Sequence, residues 1–161
     1  MIDILARLFS RSEPALSEAT ARDAAMIAVL HAASFNRGWS EDEIDRLMLE
    51  RNVLTHRAVM NGRLLGFIMS RMVEGEAEIL SVAVAQTFRG RGLARRLLDL
   101  HLRRLAGLGT RVVFLEVDEG NAAARRLYQR AGFGQAGRRE GYYAGSAAKP
   151  SAALVLRRDL A

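Results

Sequence analysis

Three places in the chain carry residue types suited to chemistry. In the stretch FRGRGLARRLL, Phe88 to Leu98, four arginines and two glycines separate an apolar run that reads as a strand from one that reads as a helix. Gly90 and Gly92 let backbone N–H groups turn inward toward an anion, and a helix opening behind them adds the positive end of its dipole. A plain strand-to-helix turn fits the same letters. Glu116 is the lone acid of RVVFLEV, where desolvation would tighten its hold on a proton and suit it to act as a base. The competing reading is a strand-end acid paired with a nearby arginine. Tyr128, one position after Leu127, sits at the edge of a helix's buried face; it is either a proton donor or a core aromatic with its hydroxyl at the surface.

Several machines are excluded by the letters. A Walker-type loop needs a lysine followed by Ser or Thr, and a dinucleotide fingerprint needs a third glycine where Arg95 stands. Nucleic-acid binding asks for arginines interleaved with exposed aromatics, but Leu93, Leu97 and Leu98 make this helix a packing helix. There is no cysteine, and His31, His56 and His101 lack metal-ligand spacing, so no metal is expected.

Half of the 161 residues are apolar, which suits one domain spanning 1–161. The net charge of +6 favours an anionic ligand, a phosphate-bearing cofactor or RNA. The basic residues, all arginine except Lys149, are spread along the whole chain, so charge alone selects no partner. The start MIDILARLFSRSE lacks a signal-peptide core and cleavage site, and no segment approaches the length of a membrane span. We expect a cytoplasmic protein that binds neither nucleic acid nor membrane, acts as a monomer or weak homodimer, and carries residues 1–15 as a short extension docked as a helix on its own domain.

The elements that must position these groups follow from caps, turns and periodicity. Thr20 with Asp23, and Ser40 with Glu43, mark helices over about Ala21–Ser34 and Glu41–Arg51. THRAVM and RLLGFIMSRMV pair across an Asn61-Gly62 hairpin, and a turn over Glu74–Glu76 leads into AEILSVAV, giving three antiparallel strands. Leu97, Leu98, Leu102, Leu105 and Leu108 line one side of the next helix. RVVFLEV, apolar on both faces, is a central strand reached by a right-handed crossover. A helix from the Asn121 cap to Gly132 and two last strands, FGQAGRREGYY and AALVLRRDL, complete a mixed α/β sheet with helices on both faces.

With these residues placed, the chain resembles the GNAT acetyltransferases. RGRGLA, Arg89 to Ala94, is similar to their acetyl-CoA loop: Arg or Gln, two residues, Gly, one residue, Gly or Ala. ILSVAV stands where that family has a splayed central strand, LEVDEGNAAARRLYQRAGF where it has the next strand, loop and helix, and Trp39-Ser40-Glu41 resembles the PWS segment of one branch. The resemblance covers about Leu16 to Tyr143 and is nearest to the bacterial ribosomal-protein alanine N-acetyltransferases. It implies the GNAT fold and acetyl transfer from acetyl-CoA to a primary amine, foremost the N-terminal α-amino group of a protein such as a ribosomal protein. A small amine or amino acid is the alternative acceptor; a non-catalytic CoA-binding regulator is the alternative of another class. Pro150 and Ser151 stand where that branch carries an acidic pair, which loosens the acceptor assignment.

The resemblance further implies that Val82, Ala83 and Val84 meet the acetyl and pantetheine portions, and that Arg89, Gly90, Arg91, Gly92, Leu93, Ala94 and Arg95 wrap the diphosphate. Asn121 would bond the cofactor's arm, Glu116 would be general base and Tyr128 general acid; Trp39 and one of the Tyr142-Tyr143 pair, Tyr142, would shape the acceptor groove. Acetyl transfer from a thioester needs a neutral nitrogen, a stabilised oxyanion and a proton for the thiolate. An α-amino group, with a pKa of about 8, needs less help from a base than a lysine at about 10.4.

Overall fold

In the computed structural model, residues 12–143 and 151–160 are described. The chain runs β1 (Ala15–Glu18), a 3-10 turn (Ala21–Asp23), α1 (Ala24–Ser34), α2 (Glu41–Leu49), β2 (Val53–Met60), β3 (Arg63–Val73) and β4 (Glu76–Val84). It continues as α3 (Leu93–Gly107), β5 (Val112–Asp118), α4 (Ala122–Arg130), β6 (Gly134–Tyr143) and β7 (Ser151–Asp159). The seven strands form one sheet in the order β1-β2-β3-β4-β5-β7-β6, antiparallel throughout except for the parallel β4–β5 pair. This is the mixed α/β sheet the sequence leads one to expect.

Local chemistry explains the boundaries. The Glu43 N–H donates to the Ser40 hydroxyl at 3.1 Å, and the Ser40 N–H donates to the Glu43 carboxylate at 2.7 Å, a reciprocal cap that starts α2. Asn61 and Gly62 take φ values of 51° and 73°, the paired positive angles of a tight hairpin. Two ends differ from expectation: Ala21–Asp23 is a 3-10 turn ahead of α1, and α2 stops at Leu49 rather than Arg51.

The N-terminal expectation needs a correction at Ala15, which is the first residue of an edge strand rather than part of a docking helix. β1 pairs with β2 from Ala15 opposite Val59 to Glu18 opposite His56. Arg96 holds the chain just before it, donating to the Pro14 carbonyl at 3.5 Å and lying 3.8 Å from the Glu13 carboxylate. Residues 1–11 lie outside the described residues.

Two apolar layers sandwich the sheet. On one face Leu97, Leu98 and Leu105 of α3 and Tyr128 of α4 pack on Ile68, Val113 and Leu115. On the other, Ile27 of α1 and Ile44 of α2 pack on Phe67, Met69 and Ala83. Each fully buried aliphatic side chain stabilises the fold by about 1.5–3 kcal/mol. The first layer also holds a polar chain: His56 Nδ1 meets His101 Nδ1 at 2.8 Å, and His101 Nε2 meets the Ser70 hydroxyl at 2.7 Å. Burial lowers both histidines, His101 to about 3, so both rings are neutral and share their hydrogens. Among the described residues no helix is long and apolar enough to cross a membrane.

Candidate active site

The site begins where the parallel pair comes apart. β4 and β5 are in register only from Glu76 opposite Val112 to Ile79 opposite Leu115, while β4 runs on to Val84 and β5 to Asp118. At the same level the β3–β4 register shifts, Met69 facing Ser81 but Ser70 facing Ile79, which leaves Leu80 as an extra residue. Such a bulge bends the strand that carries it, and it turns β4 away from β5.

Beyond the bulge, the side of β4 facing β5 has backbone groups without a strand partner. The Ala85 N–H donates to the Leu65 carbonyl at 2.8 Å, so Ala85 points toward β3. Antiparallel alternation then directs Ala83 toward β3 as well, and Val82 and Val84 toward the gap. Ala83 thus departs from the sequence expectation, since its main-chain groups serve the β3 ladder. The Val84 carbonyl accepts from Arg89 Nε at 2.9 Å, which leaves the N–H groups of Val82 and Val84 for a ligand.

The arginine-glycine loop closes the end of this gap. Gly90 and Gly92 take φ of 75° and 80°, and a Cβ at either would meet no atom within 4 Å, so the requirement is conformational. Gly92 opens α3 without any side-chain cap, and the first bond of the helix runs from the Arg96 N–H to the Gly92 carbonyl at 3.1 Å. The N–H groups of Leu93, Ala94 and Arg95 therefore lie at an open helix start, as an anion site requires. The arginines serve the loop itself. Arg89 anchors to Val84, Arg91 lies 4.5 Å over the Phe88 ring, and Arg95 pairs with Asp99 at 2.9 Å. The Leu93 side chain is buried in the core. For Leu93 and Arg95 the expected phosphate contact thus narrows to the backbone.

Alternation along β5 sends Val113, Leu115 and Val117 into the layer with α3 and α4, and Glu116 to the opposite face. There Glu116 is not solitary. It lies opposite Val155 of β7, and its Oε1 is 3.0 Å from Arg139 of β6, the arginine-paired arrangement that competed with the lone-acid reading. The side chain is 21% exposed, so the carboxylate still reaches the surface of that face.

Tyr128 points the other way, into the layer under α3 and α4, with Phe133 edge-on at 5.6 Å. Burial pushes its phenol up to about 12, so it is fully protonated at neutral pH. Asn121 caps α4: its Oδ1 accepts from the Ala124 N–H at 3.1 Å, which commits the oxygen and leaves the amide NH2.

Trp39 precedes the α2 cap and packs against the cluster containing Ile44, as a hydrophobic staple does. It also stacks on His31, with ring centroids 4.4 Å apart. Tyr142 belongs to β6 by its backbone, and its side chain lies outside the described residues. Sequence reasoning missed two residues here. Arg139 is brought to Glu116 only by the entry of β7 between β5 and β6. His31 left no signal in the letters: α1 ends at Ser34 and Phe35 is extended, so the ring meets Phe35 and Trp39 only because the 35–40 loop folds back on the helix. Among the described residues no cluster of His, Asp and Glu is assembled to hold a metal ion.

Comparison with known proteins matches residues 19–133 to the acetyltransferase (GNAT) family. The [ribosomal protein bS18]-alanine N-acetyltransferase of Escherichia coli is 34% identical over 105 residues, 65% of this chain and 70% of that protein. The crystal structure of the ribosomal-protein-S18-alanine N-acetyltransferase from Escherichia coli superposes with a TM-score of 0.85 at 25% identity, covering 92% of this chain and 94% of that one. Arabidopsis thaliana NAA60 in complex with acetyl-CoA shares the fold, with a TM-score of 0.79 at 18% identity over 91% of this chain and 98% of that one.

Proposed function

The chain belongs to the acetyltransferase (GNAT) family, an enzyme whose acetyl donor is acetyl-CoA, and from that premise we propose that its acceptor is the N-terminal α-amino group of a protein, with a ribosomal protein the leading candidate. The observation that carries this reading is the parting of β4 from β5 beside the open helix start of α3, with Glu116 on one face of the sheet and Tyr128 in the core layer on the other. The similarity to a ribosomal-protein alanine N-acetyltransferase over 105 residues supports the acceptor. A ribosomal-protein acceptor would put the reaction in the cytoplasm.

In this reading the N–H groups of residues 90–95 hold the diphosphate, and the Asn121 amide bonds the cofactor's arm. The thioester lies along β4, where the N–H groups of Val82 and Val84 stabilise the oxyanion formed when the amine attacks the acetyl carbon. The face of β5 that carries Glu116 bears neither α3 nor α4, so the amine approaches there. Glu116 takes a proton from the nitrogen, directly or through a water. The carbon–sulfur bond breaks, and Tyr128 donates its proton to the leaving sulfur. A phenol at about 12 is a weak acid for an ordinary thiol of about 8.5, but a thiolate in the same buried gap is destabilised by the same desolvation.

The test is incubation with labelled acetyl-CoA and a panel of N-terminal peptides, N-blocked lysine peptides and small amines, followed by mass mapping of the acetylated nitrogen. Label on the α-nitrogen of an N-terminal peptide supports the reading. Label only on lysine or a small amine overturns the acceptor while leaving the chemistry intact.

A further inference from the structure

His31 lies near the end of α1, 3% exposed, and the chemistry above makes no use of it. Its ring sits between Phe35, at 4.5 Å, and Trp39, stacked at 4.4 Å and an interplanar angle of 16°, with Phe67 of β3 at 6.3 Å. His31 Nδ1 accepts from the Trp39 backbone N–H at 3.0 Å, so the ring bonds that N–H only while Nδ1 carries no hydrogen. One residue before Trp39, Gly38 presses against the helix, and a Cβ there would come within 2.9 Å of the Ala32 Cα. The 35–40 loop is thus folded down on α1 by one hydrogen bond, one stack and one close backbone approach.

The place matters. Phe67 is in register with Ala83, the β4 residue between the two whose N–H groups face the gap. The loop therefore stands near the splayed end of the sheet, on the same face as Glu116.

We propose that His31 is a positioning residue for the acceptor, a neutral imidazole that latches the Trp39 loop against the sheet and so fixes one wall of the amine's path. The proposal rests on the acetyl-transfer reading and adds to it the residue that controls acceptor affinity. Burial lowers His31 below the usual imidazole value of 6.5, against the smaller opposing pull of Glu43 on α2. Phe35, Trp39 and Phe67, the other groups packed on the ring, bring no charge. The latch is therefore closed at neutral pH and opens only as pH falls below 6.5, when a protonated Nδ1 confronts the Trp39 N–H as a second donor.

The experiment compares the wild type with His31→Phe, which keeps a ring and loses the acceptor, and with His31→Asn, whose Oδ1 can replace Nδ1. Gly38→Ala, which must lift the loop, is the independent variant. In steady state at neutral pH, His31→Phe and Gly38→Ala should raise the KM for the amine acceptor by about tenfold, the worth of one lost hydrogen bond. The KM for acetyl-CoA and kcat should stay near wild type, and His31→Asn should restore the acceptor KM. Below pH 6.5 the wild type's acceptor KM should rise relative to that of His31→Asn; protonation of the amine acts on both alike and cancels in the ratio. Trp39 is the single tryptophan, so its emission reports the loop without turnover. It should change with pH in the wild type and stay flat in His31→Asn. Acceptor KM values unchanged in His31→Phe, or lost kcat and acceptor affinity together in every variant, would overturn the latch. Failure of the wild type to acetylate any amine would instead overturn the acetyl-transfer reading, and the emission titration would still decide the latch.

Discussion

In the proposed reading the donor meets backbone: the N–H groups of residues 90–95 at the open start of α3, on one face of the sheet, and those of Val82 and Val84 on the side of β4 that β5 has left. On the face that carries α1 and α2, the groups proposed for the acceptor are side chains: Glu116 with its partner Arg139, and His31 with Trp39. The difference follows from what each ligand offers. A diphosphate and a thioester carbonyl are met by N–H groups that any residue supplies, provided glycine allows the turn, whereas an amine must meet a group of a particular charge. A backbone site constrains sequence only at its glycines; a side-chain site constrains it at every contact.

If the division is real, each face should fail separately. The largest effect is expected from Glu116→Gln, which should lower kcat by about 10²–10⁴-fold while leaving the acetyl-CoA Kd unchanged, read by single-turnover kinetics and calorimetry. A Kd that moved with kcat would show that the two faces share their contacts. Acid should next attack the donor face from within, because the His56–His101 pair lies beneath α3. The folded state holds His101 at about 3 against an ordinary 6.5, so the unfolded chain binds the extra proton first. Its contribution is fully present above pH 6.5 and is lost as pH falls toward 3. Between pH 7 and pH 4.5 this amounts to about 3 kcal/mol. Urea unfolding at the two pH values checks it, and His101→Leu should flatten the slope.

Smaller effects separate backbone from side chain within the donor face. Gly92→Val must place a branched side chain at a φ of 80°, which should raise the acetyl-CoA Kd by about tenfold through loss of the turn. Acceptor binding should not follow. Asn121→Asp keeps the oxygen that caps α4 and loses the amide hydrogens. It should raise the acetyl-CoA KM by about threefold with Tm unchanged; a lower Tm with unchanged KM would reduce Asn121 to a cap.

The same contrast explains what could be read from the letters. Gly90 and Gly92 announce the donor loop because positive φ angles leave a mark in the alphabet, and Ser40, Asn61 and Gly62 mark their cap and turn for similar reasons. The parting of β4 from β5 left no mark, since the bulge at Leu80 uses an ordinary apolar residue. β1 was equally hidden: Ala15–Glu18 reads Ala-Leu-Ser-Glu, good helix formers that extend only because the β2 edge offers them partners. Glu116 was legible as an acid in an apolar strand, but its arginine was not. Arg139 reaches it across β7, and strand order is a property of the whole sheet.

The most direct test is a crystal structure with acetyl-CoA joined through its acetyl group to the α-nitrogen of an acceptor peptide. The account predicts a diphosphate on the N–H groups of residues 90–95, the linking carbon between β4 and β5 beside Val82, and the peptide on the far face between Glu116 and Trp39. A conjugate lying wholly on one face, or a diphosphate bound away from the start of α3, would contradict it.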